Sequence, residues 1–193
     1  PRLPIYIDSP LATKATEVFA KNTDIFDQSE RFVRSHNGQS LFEFPLLKYT
    51  PDVQDSKQLS QSTGPMVIIS ASGMCESGRI VHHLHQGASN PRNTILIVGF
   101  QAEHTLGRRL VERRPKVKIL GLEHELHARV VTIGAFSAHA DQRDLVAYAR
   151  TLGKVQRFFI VHGEPAGAEG LRAALANVGI DGYVPSRGEA VEL

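Results

Sequence analysis

The sequence predicts an α/β fold, with three layers built around a mostly parallel sheet and a further β-α-β-α segment behind it. Three observations carry this. The apolar runs Met66–Ser70, Thr94–Val98 and Gln156–Val161 are short and continuous, as in strands buried on both faces. Each gives way to small or polar residues, then to a stretch with helical spacing of its apolar positions. This strand–helix alternation is the pattern of parallel sheets with right-handed crossovers.

In chain order, Pro4–Ile7 reads as a short buried strand. Ser9-Pro10 then signals a helix start, Ser9 as N-cap and Pro10 where a missing N–H costs nothing. That helix runs to about Asn22, and a second from about Asp24 to His36 stops at Asn37-Gly38. Residues 38–50 predict no element. Thr50-Pro51 repeats the cap-plus-proline signal and opens a polar helix to about Gln61. After the turn Ser62–Pro65 come strand 66–70, the loop Ala71–Met74 and a helix from about Ser77 to Gln86, ended by Gly87. Strand 94–98 leads through Gly99–Ala102 into a basic helix, Glu103–Arg114. Residues 117–133 read as short strands with a turn near Gly121. The rhythm then resumes with strand Arg129–Ile133, helix Asp141–Leu152, strand Gln156–Val161, helix Ala168–Val178 and a last strand at 182–184.

At 193 residues, 41% hydrophobic and 22% charged, the chain has the composition of an ordinary globular protein with a proper core. No run approaches a membrane span. The start, Pro1–Ile7, has no signal-peptide architecture and reads as the middle of a longer gene product. The single cysteine, Cys75, excludes an internal disulfide framework and fits a reducing cytoplasm. The net charge of +2 does not announce a nucleic-acid binder. The charge is uneven, however: Arg108, Arg109, Arg113, Arg114, Lys116 and Lys118 cluster around a single acid, Glu112. They form either a solvated face or a phosphate-facing stripe.

Ligands of open α/β sheets collect at the carboxyl ends of strands. Four loops sit there: 71–74, 99–105, 136–141 and 162–165. In the third, Asp141 is placed to cap the next helix, and Ser137 with the terminal amides could hold a phosphate oxygen. His139 could donate a proton to a leaving oxygen, since imidazoles titrate near neutral pH. The alternative is a capping turn without chemistry. His162, beside Gly163, could reach a metal, but a lone histidine is more often structural. The turn with Ser72 and Gly73 could cradle phosphate with Arg79 assisting, although it is neither a Walker A loop nor G-x-G-x-x-G. His82, His83 and His85 make a poor metal cluster, because residue 83 points away from the other two. Cys75 has no activating base in the pattern.

Six blocks occur in order: Tyr6–Ala12, Ile69–Cys75, Gly78–Leu84, Gly99–Glu103 with Thr105–Arg108, Phe136–Asp141 and Val161–Pro165. Together they resemble the metallo-β-lactamase/β-CASP nucleases. The match is closest to the RNA-processing branch that includes the cleavage and polyadenylation nuclease subunit and its bacterial and archaeal relatives. The resemblance implies that residues 1–125 are the β-CASP insert and 126–193 the return to the lactamase fold. It implies His139 as general acid with an upstream acidic partner, His162 as ligand to one of two zinc ions, and Ser137 on the phosphate. A histidine at the position of His162 is typical of RNA-processing members, where DNA-processing members carry valine.

The full-length protein is therefore expected to be a zinc-dependent ribonuclease acting on single-stranded RNA. Ser137, Ser72, Gly73, Arg79, Arg108 and Arg109 are expected along the RNA path. The H-x-H-x-D-H metal motif and the other zinc ligands are expected before Pro1, in the N-terminal lactamase part. This chain alone is expected to hold no zinc and to be inactive. A non-catalytic RNA-binding or scaffold module is the rival reading, and homodimerisation is left open.

Overall fold

The computed structural model describes residues 3–26, 42–137 and 139–191, and the chain divides into two compact units, Pro1–Phe136 and Ser137–Leu193. In the first, β1 (Ile5–Asp8) lies between β2 (Leu47–Tyr49) and β3 (Val67–Ser70), parallel to both, with Ile5 opposite Leu47 and Val67. The Ser9-Pro10 signal holds: α1 spans Pro10–Lys21, and Ser9 Oγ accepts from the Ala12 N–H at 3.2 Å. A short 3₁₀ turn, Thr23–Ile25, follows. The second helix expected from Asp24 to His36 falls largely on residues 27–41, outside the described residues.

Helix α2 (Val53–Gln61) begins behind Asp52, later than Thr50-Pro51 suggests. The reason is that the Thr50 hydroxyl is turned onto Asp8 instead of capping the helix. After β3 come α3 (Arg79–Gly87), β4 (Thr94–Ile97) and α4 (Leu106–Val111). The last is shorter than the sequence predicts at both ends. Thr105 caps it by accepting from the Arg108 N–H at 3.1 Å, and Arg113 leaves helical space with φ 53°. Strands β5 (Lys116–Ile119) and β6 (Leu122–Glu125) form an antiparallel hairpin. Leu120 and Gly121 both have positive φ, as a two-residue turn matched to strand twist requires.

Strand β7 (Arg129–Thr132) then pairs parallel with β4, Thr94 opposite Arg129. It thus lies in the first compact unit, which runs to Phe136. The core of this unit gathers Val81, Leu84, Ile97, Leu110, Val117, Ile119 and Val130 between α3, α4 and the strands.

The second unit contains α5 (Gln142–Thr151), β8 (Phe158–Phe159), α6 (Pro165–Ala176) and β9 (Gly182–Tyr183), with β8 and β9 parallel. Helix α6 starts earlier than the expected Ala168, because Pro165 takes the first helical position. Ala149, Ile160, Ala168 and Leu175 form its core. Among the described residues no helix is long and apolar enough to cross a membrane.

Candidate functional site

In the second unit, Ser137, His139 and Asp141 precede α5. Asp141 and Asp144 form a reciprocal capping box: the Asp144 N–H donates to Asp141 Oδ1 at 2.9 Å, and the Asp141 N–H to Asp144 Oδ2 at 3.2 Å. These bonds, with Arg143 beside it, hold the Asp141 carboxyl below its ordinary range. The His139 N–H donates to Ser137 Oγ at 3.3 Å, which folds the loop back and leaves both side chains exposed. His162 follows β8 and Ile160–Val161. It is exposed and has φ 65°, a left-handed conformation uncommon outside glycine but one histidine adopts more readily than β-branched residues. The sequence gives no hint of that turn beyond Gly163 beside it. Ser137, His139 and His162 thus belong to one unit, on two exposed segments.

In the first unit, the loop after β3 closes as a tight turn. The Cys75 N–H donates to Ser72 O at 3.1 Å, and the Ile80 N–H to Ala71 O at 3.1 Å. Gly78 has φ +76°, and a Cβ there would lie 2.6 Å from Ala71 O, so only glycine fits. Gly73 and Met74 are exposed at the turn's tip; Cys75 is buried beneath it. Burial, then the charge of Glu76, pushes the Cys75 thiol up to about 11, which leaves it unreactive.

The next strand-end loop is braced against this turn. Gln101 Nε2 donates to Gly73 O at 2.9 Å and lies within 3.2 Å of Gly99 O and 3.0 Å of Phe100 O. In return, the Glu76 carboxylate accepts from the Leu106 N–H at the start of α4. Arg108 and Arg109, expected on a phosphate path, are both involved. Arg108 reaches Glu112 (3.0 Å) and Gln101 O (3.2 Å), while Arg109 donates to His104 O (2.9 Å) and lies 3.8 Å from Glu76.

Arg79 is turned inward, away from the expected phosphate side. Its guanidinium donates to Asp8 Oδ1 and Pro51 O, each at 2.7 Å, and to Thr50 O. Asp8 is the hub that sequence reasoning missed. It is fully buried, and its carboxylate also accepts from Thr50 Oγ1 (2.7 Å) and Ser56 Oγ (2.6 Å), with His83 Nε2 at 2.6 Å. Burial alone would raise its pKa. The bonds from Ser56, Thr50, His83 and Arg79 outweigh that and lower it from 3.8 to about 2. The signal available in sequence was an aspartate ending an apolar strand, where a buried charge needs partners.

The histidines of α3 do not converge. His83 faces Asp8, His85 Nδ1 lies 3.0 Å from His124 Nε2, and His82 is exposed. Among the described residues no group of three or more His, Cys, Asp or Glu side chains is arranged to hold a metal ion. His162 presents a single exposed imidazole.

Two family models match this chain: the Beta-Casp domain over residues 1–110, and the Zn-dependent metallo-hydrolase RNA specificity domain over residues 123–185. The chain belongs to the β-CASP metallo-β-lactamase family. Ribonuclease TTHA0252 of Thermus thermophilus is 37% identical over 193 residues, covering 99% of this chain and 43% of that protein. Transcription termination factor FttA of Thermococcus kodakarensis is 30% identical over 198 residues, 99% of this chain and 30% of that protein. An RNase J-like protein of Methanocaldococcus jannaschii is 35% identical over 100 residues, 52% of this chain and 23% of that protein. The chain therefore spans less than half the length of the curated relatives it matches. The family expectation and the α/β fold class both stand.

Proposed function

We propose that this β-CASP chain is the RNA-specificity portion of a zinc-dependent ribonuclease that hydrolyses RNA phosphodiester bonds. One observation carries the reading: the stretch matched by an RNA-specificity domain model, residues 123–185, carries both His139, exposed just before a capped helix start, and His162, exposed on a strand-end turn. His139 acts as general acid, giving its proton to the leaving oxygen, and Ser137 holds the loop while offering its hydroxyl to the phosphate. His162 is a zinc ligand, and the other ligands belong to the N-terminal lactamase part of the same protein. Zinc, when bound, supplies Lewis-acid stabilisation of phosphate charge and an activated water. Single-stranded RNA runs past Ser72 and Gly73, with Arg108 and Arg109 beside it. Arg79 acts on this surface indirectly, through Asp8 and the start of α3. This chain alone holds too few ligands to cleave RNA.

The test uses the full-length protein with single-stranded RNA. His139→Ala slows cleavage by roughly 10²–10⁴-fold, the usual worth of a general acid, with zinc content near normal. His162→Ala lowers zinc content as well as rate. Equal metal loss in both variants would overturn this division of roles. Unchanged cleavage in His139→Ala would remove the general-acid role, and a wild-type full-length protein that binds RNA without cleaving it would favour the rival reading, a non-catalytic RNA-binding or scaffold module.

A further inference from the structure

We propose that Gln101 is a positioning residue for RNA: without touching the ligand, it fixes the turn whose exposed tip, Gly73-Met74, makes the contact. This rests on the reading above, that RNA runs past that turn.

Gln101 is 5% exposed in a loop that is otherwise largely at the surface. Three carbonyl oxygens, Gly73 O, Gly99 O and Phe100 O, surround its Nε2, so the amide has one orientation only. Its Oε1 is buried and has no hydrogen-bond partner among the described residues. A glutamine held this way gives up half its bonding capacity, which argues that the donor half has the essential task. Oε1 lies over Gly107, where an added Cβ would come 1.6 Å from it and 3.0 Å from Met74 O. The Gly107 N–H donates to Met74 O at 3.1 Å. Gly107 therefore lets α4 sit close enough for its backbone and Gln101 to grip the carbonyls of Gly73 and Met74 together.

With both carbonyls held from below, the Gly73 and Met74 N–H groups, which donate to no described backbone acceptor, remain at the exposed tip. Amide N–H groups without a backbone acceptor at an exposed turn can donate to a phosphate oxygen. Losing the grip lets the peptide planes rotate, and affinity falls before chemistry does.

The test uses full-length protein and single-stranded RNA. Gln101→Met keeps length and volume but removes both N–H donors. It raises KM about tenfold while kcat at saturating RNA stays within about twofold, the mark of lost uniform binding. Gly107→Ala attacks the grip from the opposite side, shifts KM the same way, and replaces Gln101→Met should that variant not fold. Leu59→Ala, a buried position in α2, is the control for destabilisation: it lowers Tm with KM unchanged. A photoreactive benzophenone amino acid at Met74, with RNA added, reports separately whether the turn faces the ligand. Cross-linking together with the KM shift supports the proposal. Cross-linking with no KM shift beyond the Leu59→Ala control overturns the role of Gln101 alone. No cross-link to RNA overturns the placement of RNA on this turn, and the positioning role with it.

Discussion

Replacing Asp8 by asparagine removes a charged acceptor that four side chains converge on. Asparagine offers one neutral acceptor oxygen, and its NH₂ cannot accept from the Arg79 guanidinium, which has donors only. Arg79, whose side chain is 15% exposed, then keeps its charge with only carbonyl partners. Breaking a buried pair by deleting one partner costs about 3 kcal/mol or more. The pKa gives an independent figure. A carboxyl lowered from 3.8 to about 2 contributes about 2 kcal/mol to folding. Because the folded value is depressed, that contribution is complete above pH 3.8 and is lost as pH falls through about 2. The expected outcome for Asp8→Asn at pH 7 is a Tm lower by about 10 °C, from the usual scaling for a unit of this size. Thermal melts followed by circular dichroism measure it. Repeating them between pH 5 and pH 2 shows the gap between wild type and variant closing. A variant melting within about 2 °C of wild type at pH 7 would refute the hub, given the cost above. A gap constant down to pH 2 would refute its electrostatic origin.

Cys75 in the folded chain resists alkylation at pH 8 and reacts fully once denatured, because burial and Glu76 hold its thiol near 11; rapid native labelling would contradict that environment. In the full-length protein, Arg108→Gln and Arg109→Gln reduce the salt dependence of RNA affinity by about 0.7 in log–log slope for each phosphate that is no longer neutralised. An unchanged slope would assign both arginines to bracing the loop through Glu112, His104 and Glu76.

The elements governed by local chemistry were legible in the sequence. Ser9-Pro10 marked α1, Asp141 with Asp144 marked the cap of α5, and the apolar runs marked β3 and β4. The two histidine loops were likewise visible, since each follows an apolar stretch and carries small neighbours. What stayed hidden depends on partners distant in the chain. Thr50 looks like a helix cap until Asp8 is known to face it, and Arg79 looks like a phosphate ligand for the same reason. The early end of the basic helix is a matter of backbone at Arg113, and the turn at His162 is a left-handed residue no side-chain pattern announces. Gln101 gave no periodic signal at all. Its role exists only because two loops meet.

The parallel pairing of β4 with β7 also bears on where this polypeptide can be cut. Between the two strands the chain detours through α4 and the β5–β6 hairpin, so β4 meets its partner only after Arg129 has been made. A polypeptide ending at residue 110, where the Beta-Casp model match stops, leaves the β4 edge open next to half-exposed Leu96 and Val98. Unpaired apolar edges recruit other chains. On the ribosome the same edge stays unprotected until β7 has emerged. A version of the first unit that keeps this pairing therefore runs at least to Thr132, and versions that stop before Arg129 are expected in the insoluble fraction.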